Sequence, residues 1–172
     1  MAGCSGVQFD PFLEQPPELS NHYVLGAGDQ VRVVVFGQEE LSGEFSVNAD
    51  GSVALPLVGA VTAAGKTPNA LESAIALALS PDYVRDPQVS VEVLRYRPYF
   101  IMGEVRAPGS YPYMSGLDVH SAVAVAGGYT YRAKKTFVLL TRSTGGKKER
   151  REVQPDTPIL PGDVIEVPER FF

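Results

Sequence analysis

The sequence predicts an α+β fold built from two small units in succession, on three observations. Apolar and polar residues alternate over short stretches, as at Val31, Val33 and Val35, which is the period of half-buried strands. Two stretches, after Thr67 and after Asp118, repeat instead at helical spacing. Gly and Pro number 17 and 14 among 172 residues, so the chain is cut into short elements joined by turns and a long-helix architecture is excluded. With 44% hydrophobic and 20% charged residues, the composition is that of a folded protein and not of a disordered tail.

The elements follow in order. Met1-Ala2-Gly3-Cys4-Ser5 places a cysteine after two small residues at the start of the chain. That is the box at which bacterial lipoproteins are cut and lipidated, so Cys4 is the candidate lipidation site, with Met1 standing inside a lipobox remnant; these five residues alone equally fit an incidental exposed thiol. Residues up to 21, with Pro11, Pro16 and Pro17 among polar neighbours, read as an extended tether. A strand over Val31–Phe36 opens the first unit. Asp50-Gly51 is expected to turn a hairpin between Phe45-Ser46-Val47 and Val53-Ala54-Leu55, with Gly supplying positive φ. Pro56 and Gly59 then break the apolar stretch 53–61 into one strand turning into another.

Thr67 caps a helix that Pro68 begins, Leu71, Ile75 and Leu79 form its buried face, and Pro81 ends it. Val89, Val91 and Val93 close a β-β-β-α-β unit over residues 22–95.

The second unit is expected over residues 96–169, with residues 170–172 as a tail. Tyr99-Phe100-Ile101-Met102 forms a strand running into Gly103, followed by a Pro108-Gly109 turn and a short strand through Tyr111 and Tyr113. Asp118 caps a helix with Val119, Val123 and Ala126 along one face, and Gly127-Gly128 stops it. Phe137–Leu140 is a buried strand, Gly145-Gly146 turns into a polar one, and Pro161-Gly162-Asp163 leads into Val164–Val167. A small mixed sheet crossed by one helix is a β-grasp arrangement.

Several chemistries are excluded or unsupported. A net charge of −5 argues against a nucleic-acid partner, whose affinity rests on clustered Lys and Arg. No apolar run reaches the ~18 residues of a spanning helix. A single cysteine rules out an internal disulfide and any multi-cysteine metal site. Gly26-Ala27-Gly28 precedes a strand and so is no dinucleotide fingerprint; phosphate loop, Gly-x-Ser-x-Gly elbow and His-Glu-x-x-His are all lacking. His22 and His120 have no metal-ligand spacing. No cofactor, metal or catalytic residue is therefore assigned, and the chain is not expected to be an enzyme. Lys147, Lys148, Arg150 and Arg151 are candidate contacts to an anionic sugar or headgroup, although charges on an edge strand first serve against aggregation.

The ordered motifs resemble the bacterial polysaccharide export family. In the first unit the resemblance lies in Tyr23-Val24-Leu25-Gly26-Ala27-Gly28-Asp29, Val31–Phe36, Leu41-Ser42-Gly43, Asp50-Gly51, Leu55-Pro56-Leu57-Val58-Gly59 and Gly65-Lys66-Thr67, which are similar to its export domain. In the second it lies in Gly103-Glu104-Val105, Pro108-Gly109-Ser110-Tyr111, Ala126-Gly127-Gly128-Tyr129-Thr130 and Leu160-Pro161-Gly162-Asp163, which are similar to the family's soluble-ligand-binding β-grasp (SLBB) domain. These residues read as turn chemistry before anything else, with Asp29 and Asp163 accepting hydrogen bonds from turn amides.

The resemblance implies a homo-oligomeric ring, commonly an octamer, that passes polysaccharide while an inner-membrane co-polymerase supplies the drive. It also implies an outer-membrane location on the periplasmic side, through lipid at Cys4. Longer members carry further β-grasp copies and a C-terminal membrane helix, which are not evident here, so this polypeptide is not expected to span the bilayer alone. The lack of Trp argues against tight sugar stacking. The rival readings are a monomeric β-grasp module that binds a sugar or other ligand, and a periplasmic structural adaptor.

Overall fold

The computed structural model describes residues 23–80, 82–144 and 146–170. Cys4, the tether and His22 lie outside the described residues. The fold is α+β, with two hydrophobic cores, one built from residues between Tyr23 and Val91 and the other from residues between Tyr99 and Val167.

Strand β1 (Gln30–Val35) buries Val31, Val33 and Val35 and turns Arg32 and Val34 to solvent, as its alternation requires. It is the middle strand of an antiparallel sheet, between β2 (Gly43–Ser46) and β5 (Val89–Arg95). Among the described residues, strands β3 (Ser52–Leu55) and β4 (Gly59–Thr62) pair with each other alone. The hairpin expected at Asp50-Gly51 is therefore not a ladder. The chain does turn tightly there, the Asn48 N–H reaching the Ser52 carbonyl at 2.8 Å, but it leaves one sheet and enters another. Gly51 sits at φ +82°, and a Cβ on it would lie 2.6 Å from the Ala64 methyl. Gly51 thus packs directly on Ala64, and β3 buries Val53 and Leu55 in the first core.

Helix α1 (Pro68–Leu79) begins as its sequence predicts, the Thr67 hydroxyl accepting from the Ala70 N–H at 3.2 Å, and it buries Leu71, Ile75 and Leu79. The Glu72 carboxylate accepts the Val91 N–H at 2.8 Å and so pins the helix to β5. Between Gln30–Arg95 and Val31–Val93 the β1–β5 register slips by one residue. A bulge of this kind bends a strand, and this one lies just before Tyr96 and Arg97, where the second unit starts.

That unit is a five-stranded mixed sheet in the order β7-β6-β10-β8-β9. Its strands are β6 (Tyr99–Gly103), β7 (Gly109–Tyr111), β8 (Val138–Thr144), β9 (Lys147–Val153) and β10 (Val164–Val167). The central pair β6–β10 is parallel and its other pairings are antiparallel. Helix α2 (Val119–Val125) is capped by the Asp118 carboxylate, which accepts the Ser121 N–H at 2.7 Å. Gly127 and Gly128, at φ +81° and +89°, donate to Ala124 and Val123 carbonyls, the paired bonds of a Schellman stop. Among the described residues no helix is long and apolar enough to cross a membrane.

Candidate functional site

Two of the turns singled out in sequence meet at the junction of the two units. Gly26–Asp29 and Leu160–Asp163 form the same turn twice. In each, the Asp N–H donates to the carbonyl three residues back at 3.1 Å. Each Asp carboxylate in return accepts that residue's N–H, Gly26 at 2.8 Å and Leu160 at 2.7 Å. Gly28 and Gly162 occupy the third position at φ +94° and +85°, which a type II turn demands, and Pro161 suits the second.

Both carboxylates are buried, Asp29 at 0% and Asp163 at 1% exposure, and a buried charge must be paired. Arg142, itself buried, answers Asp163 with Nη2 at 2.6 Å and Nε at 3.0 Å, and bonds the Pro158 carbonyl. Burial pushes the Asp163 carboxyl up from its ordinary range, against the pull of Arg142. Arg97 answers Asp29 from the far side of the junction. Its N–H donates to Oδ1 at 2.7 Å, and its Nη1 reaches Oδ2 at 3.1 Å and the Tyr23 hydroxyl oxygen at 2.8 Å. The Tyr23 hydroxyl donates to the same carboxylate.

The Arg97 side chain lies against both turns. A Cβ on Gly26 would run into its guanidinium, and one on Gly162 would lie 2.6 Å from its Nε. Aromatic rings run beside it: Tyr23 and Tyr96 meet edge-to-face at 4.8 Å, and Tyr96 and Tyr113 at 5.6 Å. Tyr23 belongs to the first core and Tyr113 to the second, while Tyr96 packs on both. Burial raises the Tyr23 hydroxyl well above its ordinary value despite Arg97, and pushes the Tyr113 hydroxyl up to about 12. One arginine and three tyrosines thus join two cores through an ion pair and an aromatic ladder.

The other predicted residues lie away from this junction. Asp50 accepts the Ser52 N–H at 2.9 Å and its hydroxyl at 2.8 Å, bonds that hold its carboxyl below the usual range. Pro56 and Gly59 bound the β3–β4 turn, in which Leu57 stands exposed at φ +67°. Gly103 ends β6 at φ +85°, where a Cβ would strike the Val167 carbonyl oxygen. Pro108 and Gly109 lead into β7, and the Tyr111 hydroxyl closes that turn on the Ala107 carbonyl at 2.6 Å.

Strand alternation divides the four cations of β9. Lys147 and Arg151 lie on the side of the buried Val153, while Lys148 and Arg150 lie on the outer face. Arg150 faces Glu166 at 2.5 Å and Arg151 faces Glu149 at 3.1 Å. The structure does not bring these four together as one anion-binding cluster. Among the described residues no group of three His, Cys, Asp or Glu side chains could hold a metal ion.

Comparison with known proteins agrees with this layout. Residues 17–94 match the family model described as polysaccharide biosynthesis/export protein, and residues 98–152 match the SLBB domain. The exopolysaccharide production protein ExoF of Rhizobium meliloti is 36% identical over 121 residues, covering 63% of this chain and 29% of the relative. The EPS I polysaccharide export outer membrane protein EpsA of Ralstonia nicotianae is 31% identical over 113 residues, 51% of this chain and 29% of its own. The polysialic acid transport protein KpsD of Escherichia coli is 28% identical over 108 residues, 62% of this chain and 19% of its own. The chain thus spans less than a third of the length of these curated relatives.

Proposed function

The chain belongs to the bacterial polysaccharide export family, carrying its export domain followed by an SLBB domain, and from that premise we propose that it is a non-enzymatic component of the channel that exports capsular polysaccharide or exopolysaccharide. The export domain spans residues 22–95 and the β-grasp domain residues 96–169. Copies assemble side by side into a ring, each contributing its two domains as stacked layers around a lumen. The inner-membrane co-polymerase and synthesis machinery supply the drive, and lipid on Cys4 holds the ring at the periplasmic face of the outer membrane.

The observation that carries this reading is the junction. Stacked layers need protomers whose two domains keep one relative orientation, and the Arg97–Asp29 pair with the tyrosine ladder provides that coupling. Supporting it, the outer face of the β2-β1-β5 sheet is open, with Arg32 exposed between Glu44 at 3.2 Å and Glu92 at 3.7 Å. These exposed charges, beside an exposed Val34, pair weakly, and weak contacts suit a polymer that must move. The test is deletion of the coding sequence in its native host. Export predicts that polymer disappears from the medium and cell surface and returns on complementation; unchanged secretion overturns it.

A further inference from the structure

Charge is divided between the two domains. Residues 23–95 carry four Lys and Arg against nine Asp and Glu, whereas residues 96–170 carry eleven against eight. Part of that positive excess gathers at one place. Strands β6 and β10 run parallel away from the junction, and at about 3.3 Å per residue their far ends lie some 15 Å from it. There three segments are tied together by backbone hydrogen bonds. Glu104 donates to Val167 at 2.9 Å, Arg106 to Gly128 at 3.0 Å, Thr130 to Glu104 at 3.0 Å, Lys134 to Pro168 at 2.9 Å and Arg170 to Arg132 at 2.8 Å.

This knot carries Arg106, Arg132, Lys134, Lys135 and Arg170 against two carboxylates, both of them engaged within it. Glu169 pairs with Arg132, and Glu104 accepts the Thr130 hydroxyl proton. The Lys134 ammonium stands 4.3 Å over the Phe137 ring and that of Lys135 5.9 Å over the Tyr129 ring. Rings position an ammonium without neutralising it. Tyr131, in the same segment, is 83% exposed.

We propose that this far end of the β-grasp domain is a contact surface for a polysaccharide bearing carboxylate groups, a reading that rests on the export function above. Arg106, Lys134 and Lys135 meet the carboxylates, and Tyr131 meets the C–H face of a sugar ring. Exposed ion pairs are individually weak and screened by salt, so the contact is loose and releases readily. An anionic membrane is the competing partner. A tyrosine suits a bilayer surface as well as a sugar ring, so vesicles enter the test; the polysaccharide is the occupant proposed because it is the cargo of the export reading.

The test is affinity electrophoresis of the full chain in gels containing polygalacturonate or neutral dextran. At about 20 mM salt, polygalacturonate retards the protein and dextran does not, and about 300 mM salt removes most of the retardation. An Arg106→Gln/Lys134→Gln/Lys135→Gln variant loses roughly fivefold or more of it. Charge-retaining Lys134→Arg/Lys135→Arg keeps it, as does Lys147→Gln/Lys148→Gln in the β9 hairpin. Four results overturn the proposal: equal retardation by dextran, no effect of the triple variant, loss on changing the hairpin alone, or binding to phosphatidylglycerol vesicles without binding to polygalacturonate. Secretion in the deletion strain is scored separately, so a failed contact leaves the export reading standing.

Discussion

Arg97 holds its place because Asp29 is fully buried and needs a counter-charge. Removing one partner of such a pair strands the other. With the arginine itself 25% exposed, Arg97→Met is expected to cost about 2–3 kcal/mol, read as a lowered midpoint in chemical denaturation. The tyrosines give a second expectation. Burial, with Tyr96 and Asp163 adding to it, lifts the Tyr113 hydroxyl from 10.0 to about 12, so the unfolded chain loses this proton first. The stabilisation is complete below pH 10 and falls as pH rises towards 12; equilibrium unfolding at stepped alkaline pH should show that decline, and Tyr113→Phe should make it shallower, the rest coming from Tyr23 and the other tyrosines that burial raises. Both turn aspartates were legible in sequence as glycine-aspartate turns, but their partners were not. Arg97 stands 68 residues from Asp29, and an arginine between two strands looks like a surface residue. Arg142 did leave a signal, since Val138 and Leu140 put it on the inward face of a strand, where a charge calls for a buried partner.

Among the elements, helix α1 shows what local pattern can specify. Its cap, first proline and buried face were all readable, because each depends on neighbours within a turn or two. At 12 residues such a helix is marginal alone, so its stability comes from burial. Ile75 is fully buried, and Ile75→Ala is expected to cost about 3 kcal/mol, measured by thermal or urea unfolding. The Asp50-Gly51 hairpin shows what local pattern leaves open. The turn itself was legible, but which strands pair across it depends on β1 taking β2 and on Gly51 packing against Ala64, and neither choice is local. In the same way, the four β9 cations are close in sequence, yet strand alternation sends them to opposite faces.

For the molecule as a whole, the two cores meet through Tyr96 and Arg97 and should behave as one body. The chain is expected to unfold in a single calorimetric transition, and a Tyr96→Ala/Arg97→Met variant in two, as the domains lose their coupling. The order of the domains was legible because each brings its own run of turn motifs. Their attachment was not, since it is made by side chains outside those runs. If such coupled protomers close into a two-layered ring, as proposed above, electron microscopy of the full-length protein purified in detergent from its native host will reveal it. Closed rings with a central passage and two stacked layers are the predicted result; isolated particles with no rings would contradict it.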